Sequence, residues 1–130
     1  MEILLVEDNE LLLVRLSRSI QKLHEDCVIY KAADCKEANR LFSEVNPNLV
    51  ILDISLPDGS GIDLLRFMKK EKPQIPVFMF TDYGTNEFKK NCLELGADGF
   101  FDKSNIHGLM ENIGLHYKIS NNIYQNNLKN

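Results

Sequence analysis

Glu7, Asp8, Asp53, Thr81 and Lys103 are the residues of this chain whose types and spacing could do chemistry together. Glu7 and Asp8 follow the apolar run Ile3–Val6, and Asp53 follows Leu49–Leu52. Thr81 follows Val77–Phe80, and Lys103 comes after Phe100, Phe101 and Asp102. Any one of them alone reads as a solvated turn residue. If the apolar runs are neighbouring strands, three acids, a hydroxyl and an ammonium meet at one sheet edge. Two carboxylates about 4 Å apart repel by roughly 4 kcal/mol at a surface-like effective dielectric. A divalent cation relieves that repulsion. An oxygen-only donor set suits Mg²⁺, which keeps several waters and commonly adds a phosphate oxygen. Asp53, at the end of a rigid strand, is the natural nucleophile, because a carboxylate can accept phosphate as an acyl phosphate. Lys103 and the metal would balance the phosphoryl charge, so catalysis would be mostly positioning and charge stabilisation.

Elements must bring these residues together. Five apolar runs stand out: Ile3–Val6, Val28–Tyr30, Leu49–Leu52, Val77–Phe80 and Phe100-Phe101. They are too short for core helices and lack alternation, which is the pattern of parallel strands covered on both faces. Helical periodicity fills the gaps: Leu12, Leu16, Ile20, Leu23; then Ala38, Leu41, Phe42, Val45; then Ile62, Leu65, Met68. Phe88, Cys92 and Leu95 mark a fourth helix, ended by Gly96. Ile106, Leu109, Met110, Ile113 and Tyr117 mark a fifth. Asp34, with Glu37 three residues on, reads as the cap of the second helix. Pro47, Pro57-Asp58-Gly59, Pro73 and Pro76 punctuate the elements. The pattern predicts an α/β fold. It is a doubly wound five-stranded parallel sheet in the flavodoxin-like order 2-1-3-4-5, packed as a three-layer sandwich. In such folds sites lie at the carboxyl ends of the strands, where the strand order reverses.

The 130 residues suit one domain, and the formal net charge of −4 argues against a duplex nucleic-acid face. Lys69-Lys70 and Lys89-Lys90 are isolated pairs on amphipathic stretches. Cys27, Cys35 and Cys92 lack zinc spacing and suit reduced thiols in a cytoplasmic protein. His24, His107 and His116 read as surface or packing residues. No signal peptide or membrane span is visible, and the chain is expected to start directly on its first strand.

Over residues 2 to about 118 the sequence resembles the receiver domains of bacterial two-component response regulators. The matching motifs are Leu4-Leu5-Val6-Glu7-Asp8, Asp53-Ile54-Ser55-Leu56-Pro57 with Gly61, Phe80-Thr81, and Gly96-Ala97-Asp98-Gly99-Phe100-Phe101-Asp102-Lys103. The resemblance implies a switch phosphorylated on Asp53 with Mg²⁺. Asp8 and Asp53 would be direct metal ligands, Ser55 would ligate through its backbone carbonyl, and Glu7 would act mainly through water. Thr81 matches the hydroxyl that moves to the phosphoryl oxygens, Lys103 the lysine that pairs with them, and Phe100 an aromatic that turns inward on activation. The implied donor is a histidine kinase or a histidine phosphotransfer protein. The output would be an unidentified protein target reached through the face of the fourth helix, fifth strand and fifth helix. No direct nucleic-acid or membrane partner is implied, and the protein would be a switch rather than a turnover enzyme.

The chain departs from the family at Ser104, where proline often follows the lysine, and at Asp82, where a small residue is common. Phe100 lacks the hydroxyl of a tyrosine, and Tyr83 and Ser55 occupy positions that tune dephosphorylation in the family. The reading divides the chain into a receiver domain, 1–118, and a segment, 119–130, that is a polar tail or an extension of the last helix. Ile123, Tyr124 and Leu128 leave open a helix packing on a partner. Leu11, Leu13 and Val14 exceed what one helix stripe needs and suggest a docking patch. Other classes fit less well. A haloacid-dehalogenase-like phosphatase wants a second Asp where Ser55 stands. A flavin carrier wants a glycine- and hydroxyl-rich loop where Glu7-Asp8-Asn9-Glu10 stands. The main alternative is a degenerate receiver acting as a phosphorylation-independent interaction module.

Overall fold

The structure is a computed structural model and describes residues 1–129. Strand β1 (Glu2–Val6) leads into helix α1 (Glu10–Leu23), and β2 (Val28–Ala32) into α2 (Cys35–Val45). Strand β3 (Leu49–Leu52) is followed by a two-residue antiparallel hairpin, β4 (Ser55–Leu56) and β5 (Gly59–Ser60), and then α3 (Gly61–Glu71). Strand β6 (Val77–Thr81), α4 (Asn86–Glu94), β7 (Gly99–Asp102) and α5 (Ile106–Lys129) complete the chain. The sheet order is β2-β1-β3-β6-β7, every pair parallel. Leaving out the hairpin, this is the predicted order 2-1-3-4-5.

The apolar runs lack alternation because both sheet faces are covered. Leu4 and Val6 of β1 face Ala38 and Phe42 of α2, Leu65 and Met68 of α3, and Cys92 of α4. Ile3 and Leu5 face Leu13, Leu16 and Ile20 of α1, with Leu109 and Ile113 of α5. Each such side chain, fully buried, is worth roughly 1.5–3 kcal/mol. Edge position explains the weaker signals: Val28 on β2 is exposed, and Phe100 and Phe101 on β7 are half-buried.

Helix starts follow their side chains. Asn9 caps α1 by accepting from Leu12 N–H, Asp34 caps α2 from Glu37 N–H, Ser60 caps α3 from Ile62 N–H, and Thr85 caps α4 from Phe88 N–H. Gly96 closes α4 at φ 101°, a left-handed conformation that favours glycine. Among the described residues every peptide bond is trans, including the one before Ser104.

Two expectations about helix faces are corrected. The buried face of α1 is Leu13, Leu16, Ser17 and Ile20, while Leu23 is 65% exposed and Leu12 only half-buried. Leu13 therefore belongs mainly to the core and reaches the surface where it lines a groove with Val14, so Leu11 and Val14 are the more exposed part of the expected docking patch. The reason is rotation: one residue turns a helix by about 100°, and the packing angle against the sheet selected Leu13 over Leu12. On α4, Phe88 remains 36% exposed and Cys92 is the one buried residue, so this helix is lightly held.

Helix α5 continues through the polar segment to Lys129. His116 packs edge-on to Phe78, and the Tyr117 phenol donates to Asp26. Leu115, Ile119 and Ile123 form an exposed stripe. The side chains of Tyr124 and Leu128 lie outside the described residues. Among the described residues no helix is long and apolar enough to cross a membrane.

Candidate functional site

The strand register assembles the site. Val6 lies level with Leu52 on β3 and with Ala32 on β2. Residues just past those positions, Glu7, Asp8 and Asp53, therefore emerge together. Thr81 ends β6 level with Asp102 on β7, and Lys103 follows. The Lys103 N–H donates to the Thr81 carbonyl at 3.1 Å, which anchors the lysine to the neighbouring strand.

Asp53 is almost fully buried. Its Oδ1 accepts from Ile54 N–H at 2.7 Å, and its Oδ2 meets Lys103 Nζ at 2.8 Å. The same ammonium donates to Glu7 Oε1 at 2.9 Å. Glu7 and Asp53 are both buried, and Asp8 is exposed at the rim. One oxygen from each of the three carboxylates lies within 4.8 Å of the others. Glu7 Oε2 is the telling atom: it is buried and has no hydrogen-bond partner among the described residues.

The electrostatics follow from that crowding. Burial, and then Asp53 beside it, push the Glu7 carboxyl up to about 7 against the pull of Lys103. Burial also works against the Asp53 anion, but Glu7, Lys103 and the Thr81 hydroxyl together hold its carboxyl below the ordinary range. Lys103 is held above its ordinary range, since Asp53 and Glu7 outweigh the cost of its burial. One ammonium thus serves two buried carboxylates. A buried carboxylate oxygen without a partner calls for a proton or a cation. Three hard oxygen donors around that gap fit Mg²⁺ rather than a softer metal.

Glu7, Asp8, Asp53 and Lys103 come together directly. Thr81 is fully buried beside them, and its Oγ1 accepts from Tyr83 N–H at 3.2 Å. Ser55 sits on the hairpin two residues past Asp53 with its side chain exposed. With Ser60, Ile62, Tyr83 and Phe88 it lines a groove beside the site. Phe100 lies half-buried opposite Met79, against the cluster on the α2, α3 and α4 side of the sheet.

Two contributors were not assigned roles from sequence. Gly61 N–H donates to the Ile54 carbonyl at 2.6 Å, and a Cβ on Gly61 would stand 1.8 Å from the Asp53 carbonyl oxygen. The loop carrying Asp53 closes only because that residue has no side chain. Its place eight residues after a strand-end acid was the available signal. Asp102 is the second. Its Oδ1 accepts from Ser104 N–H at 2.9 Å and Ser104 Oγ at 2.7 Å, fixing the turn just after Lys103.

Comparison with known proteins agrees with this geometry. The response regulator receiver domain family matches residues 3–113. The chain is 39% identical over 72 residues to the response regulator protein PilR of Pseudomonas aeruginosa, covering 55% of this chain and 16% of PilR. It is 33% identical over 103 residues to the transcriptional regulatory protein PhoP of Escherichia coli, covering 79% of this chain and 45% of PhoP. It thus spans less than half the length of either relative. A signal receiver domain from Vibrio parahaemolyticus superposes with a TM-score of 0.82 at 29% identity, over 92% of both chains. The family match runs from the first strand into the last helix, across every strand end that builds the acidic site. This chain belongs to the response regulator receiver domain family.

Proposed function

We propose that this chain is a phosphorylation-dependent switch of a two-component system and that Asp53 accepts the phosphoryl group. The observation that carries this reading is the buried Asp53 carboxylate paired with Lys103 at 2.8 Å, beside a Glu7 oxygen that lacks a partner. The donor is a phosphohistidine on a histidine kinase or a histidine phosphotransfer protein. An Asp53 oxygen forms the new bond to phosphorus as the phosphorus–nitrogen bond breaks, and the imidazole leaves with the electron pair and takes up a proton. Glu7, Asp8, Asp53 and the Ser55 carbonyl would hold Mg²⁺. When bound, the ion neutralises the carboxylates and the phosphoryl oxygens. Lys103, already beside Asp53, meets the incoming charge without reorganisation. Loss of the phosphoryl group to water would return the protein to its resting state, so it switches rather than turns over. A cytoplasmic location fits such a partner.

Leu11 and Val14 on α1 would guide the donor's helix, with Asp8, Glu10, Leu13, Lys31 and Ala33 around the adjoining groove. On phosphorylation the Thr81 hydroxyl donates to a phosphoryl oxygen only by moving toward it. The vacated volume favours an inward Phe100, because packed interiors do not tolerate voids cheaply. The change would spread over α4, β7 and α5. Light anchoring of α4 and the exposed Leu115 and Ile119 of α5 support this as the output face. The rival, a phosphorylation-independent module, would have no use for a paired, buried Asp53.

The test is direct. Incubation with Mg²⁺ and a small acyl phosphate should add one phosphoryl group by mass, stable in acid and labile in alkali. Unchanged mass under those conditions would favour the phosphorylation-independent module.

Lys103→Met separates the lysine's role from the metal's. Phosphorylation from the small donor should slow on the order of 10²–10³-fold, the usual cost of losing one preorganised charge-stabilising donor. Mg²⁺ should bind more tightly, because one positive charge leaves the acidic cluster. Parallel weakening of metal binding would mean that Lys103 only props up the site.

A further inference from the structure

The turn between β4 and β5 carries a carboxylate that the chemistry above does not use. Asp58 Oδ1 accepts from Cys35 N–H at 2.7 Å and Oδ2 accepts from Lys36 N–H at 3.1 Å. These are leading amides of α2, which have no partner within the helix. Asp34, the helix's own cap, serves a different amide, Glu37 N–H at 2.8 Å. Helix α2 is therefore capped twice, once from its own chain and once from the loop that carries Asp53. Those backbone donors hold the Asp58 carboxyl below its ordinary range. Burial and then this carboxylate push the Cys35 thiol up to about 11, which fits a close approach of hairpin and helix.

We propose that Asp58 is a positioning residue for the phosphoacceptor, closing a circuit of hydrogen bonds around the acidic cluster. The circuit runs as follows in space. Asp53 N–H bonds the Val6 carbonyl at 3.1 Å, and Glu7, the next residue of that chain, donates its N–H to the Ala32 carbonyl at 2.9 Å. From Ala32 the chain leads to Cys35 and Lys36, and their amides return to Asp58 on the Asp53 loop. Glu7, Asp53 and Ser55 all lie on this ring. Without Asp58 the loop keeps the bond of Asp53 N–H to β1 and its own Gly61-to-Ile54 bond, and among the described residues only the apolar packing of Ile54 and Leu56 in the cluster that holds Ala32 and Ala38 joins the hairpin to β2 and α2. The hairpin could then shift relative to Glu7 and Asp8, and transfer rates respond steeply to shifts near 1 Å.

This inference rests on the reading of Asp53 as phosphoacceptor, so its test carries a readout that does not. Asp58→Ala and Asp34→Ala each remove one cap from the same helix. Both should lower denaturant stability to a similar degree. Only Asp58→Ala should slow phosphorylation by a small acyl phosphate, on the order of tenfold, and raise the Mg²⁺ concentration needed for half-maximal rate. Asp58→Asn, which keeps one acceptor oxygen, should fall between, and it replaces the alanine variant if that one does not fold. Amide hydrogen exchange over Asp53–Gly61 should quicken in Asp58→Ala and not in Asp34→Ala. Equal slowing by both alanine variants, or wild-type rates in Asp58→Ala, would overturn the proposal. If wild type itself takes no phosphoryl group, the reading of Asp53 fails on its own. The exchange comparison then decides the tie: a difference between the two variants upholds it, and identical exchange refutes it.

Discussion

Asp53→Asn should leave a folded protein that takes up no phosphoryl group. Asparagine keeps the shape of the side chain and an oxygen able to accept from Ile54 N–H, a bond now made at 2.7 Å. It cannot present an anionic oxygen to phosphorus, because its second branch is an amide nitrogen carrying two hydrogens. That nitrogen would face Lys103 Nζ, a donor against a donor, where Asp53 Oδ2 now stands at 2.8 Å. Lys103 should then pair with Glu7 alone. Losing one of three carboxylates that lie within 4.8 Å should also weaken Mg²⁺ binding, by about tenfold or more on simple Coulomb grounds. Intact-mass measurement after exposure to a small acyl phosphate checks the first expectation and metal titration the second. A phosphoryl group still found on the variant would mean that another side chain is the acceptor.

Gly61→Ala should damage both the fold and the site. The added Cβ would meet the Asp53 carbonyl oxygen at 1.8 Å, the Asp53 carbonyl carbon at 2.8 Å and the Ile54 Cα at 2.9 Å. All three are backbone atoms, so no flexible side chain can yield. Relief requires the Asp53 loop and the start of α3 to move apart, which breaks the 2.6 Å bond from Gly61 N–H to the Ile54 carbonyl. Overpacking of this kind costs about 1–3 kcal/mol and occasionally more. Displacing Asp53 by about 1 Å should slow phosphoryl transfer on the order of 10²-fold. Gly114→Ala is the matched control. Its Cβ would meet only His24 Nε2 at an ordinary 3.9 Å, and alanine is the better helix former within α5. Denaturant stability should fall in Gly61→Ala and hold or rise in Gly114→Ala, and the initial phosphorylation rate should fall in Gly61→Ala while Gly114→Ala keeps the wild-type rate. Wild-type behaviour of Gly61→Ala would show that the loop has slack at this position.

Much of the site was legible because of where strands end. Glu7, Asp8, Asp53, Thr81 and Lys103 each stand just beyond, or close the end of, an apolar run. In a parallel sheet those ends share one edge whatever the details of packing. The cap of α2 was legible for a similar reason: Asp34 accepts from the Glu37 amide within one helical turn, a range over which sequence spacing and spatial distance are nearly the same thing, while the Glu37 carboxylate turns to Arg40 instead of closing a capping box.

Other features depend on how elements settle against one another. Leu12 and Leu13 are equal candidates for the core on paper, and the roll of α1 on the sheet buried Leu13. Gly61 looks like any loop glycine until the chain folds back on Asp53, leaving no room for one more carbon. The bonds from Cys35 and Lys36 to Asp58 join residues more than twenty positions apart, across the α2–β3 connection. The amino-acid sequence by itself determined the alternation of strands and helices that makes a parallel sheet and the placing of acids, hydroxyl and lysine at strand ends, because hydrophobic period and strand-end position are local properties of the chain. General rules of connection handedness then supplied the strand order. Tertiary structure alone decided which face of α1 is buried, why residue 61 has no side chain, and how the Asp53 loop is tied to α2. Those outcomes rest on contacts of a few ångströms between segments distant in sequence, which no local pattern encodes.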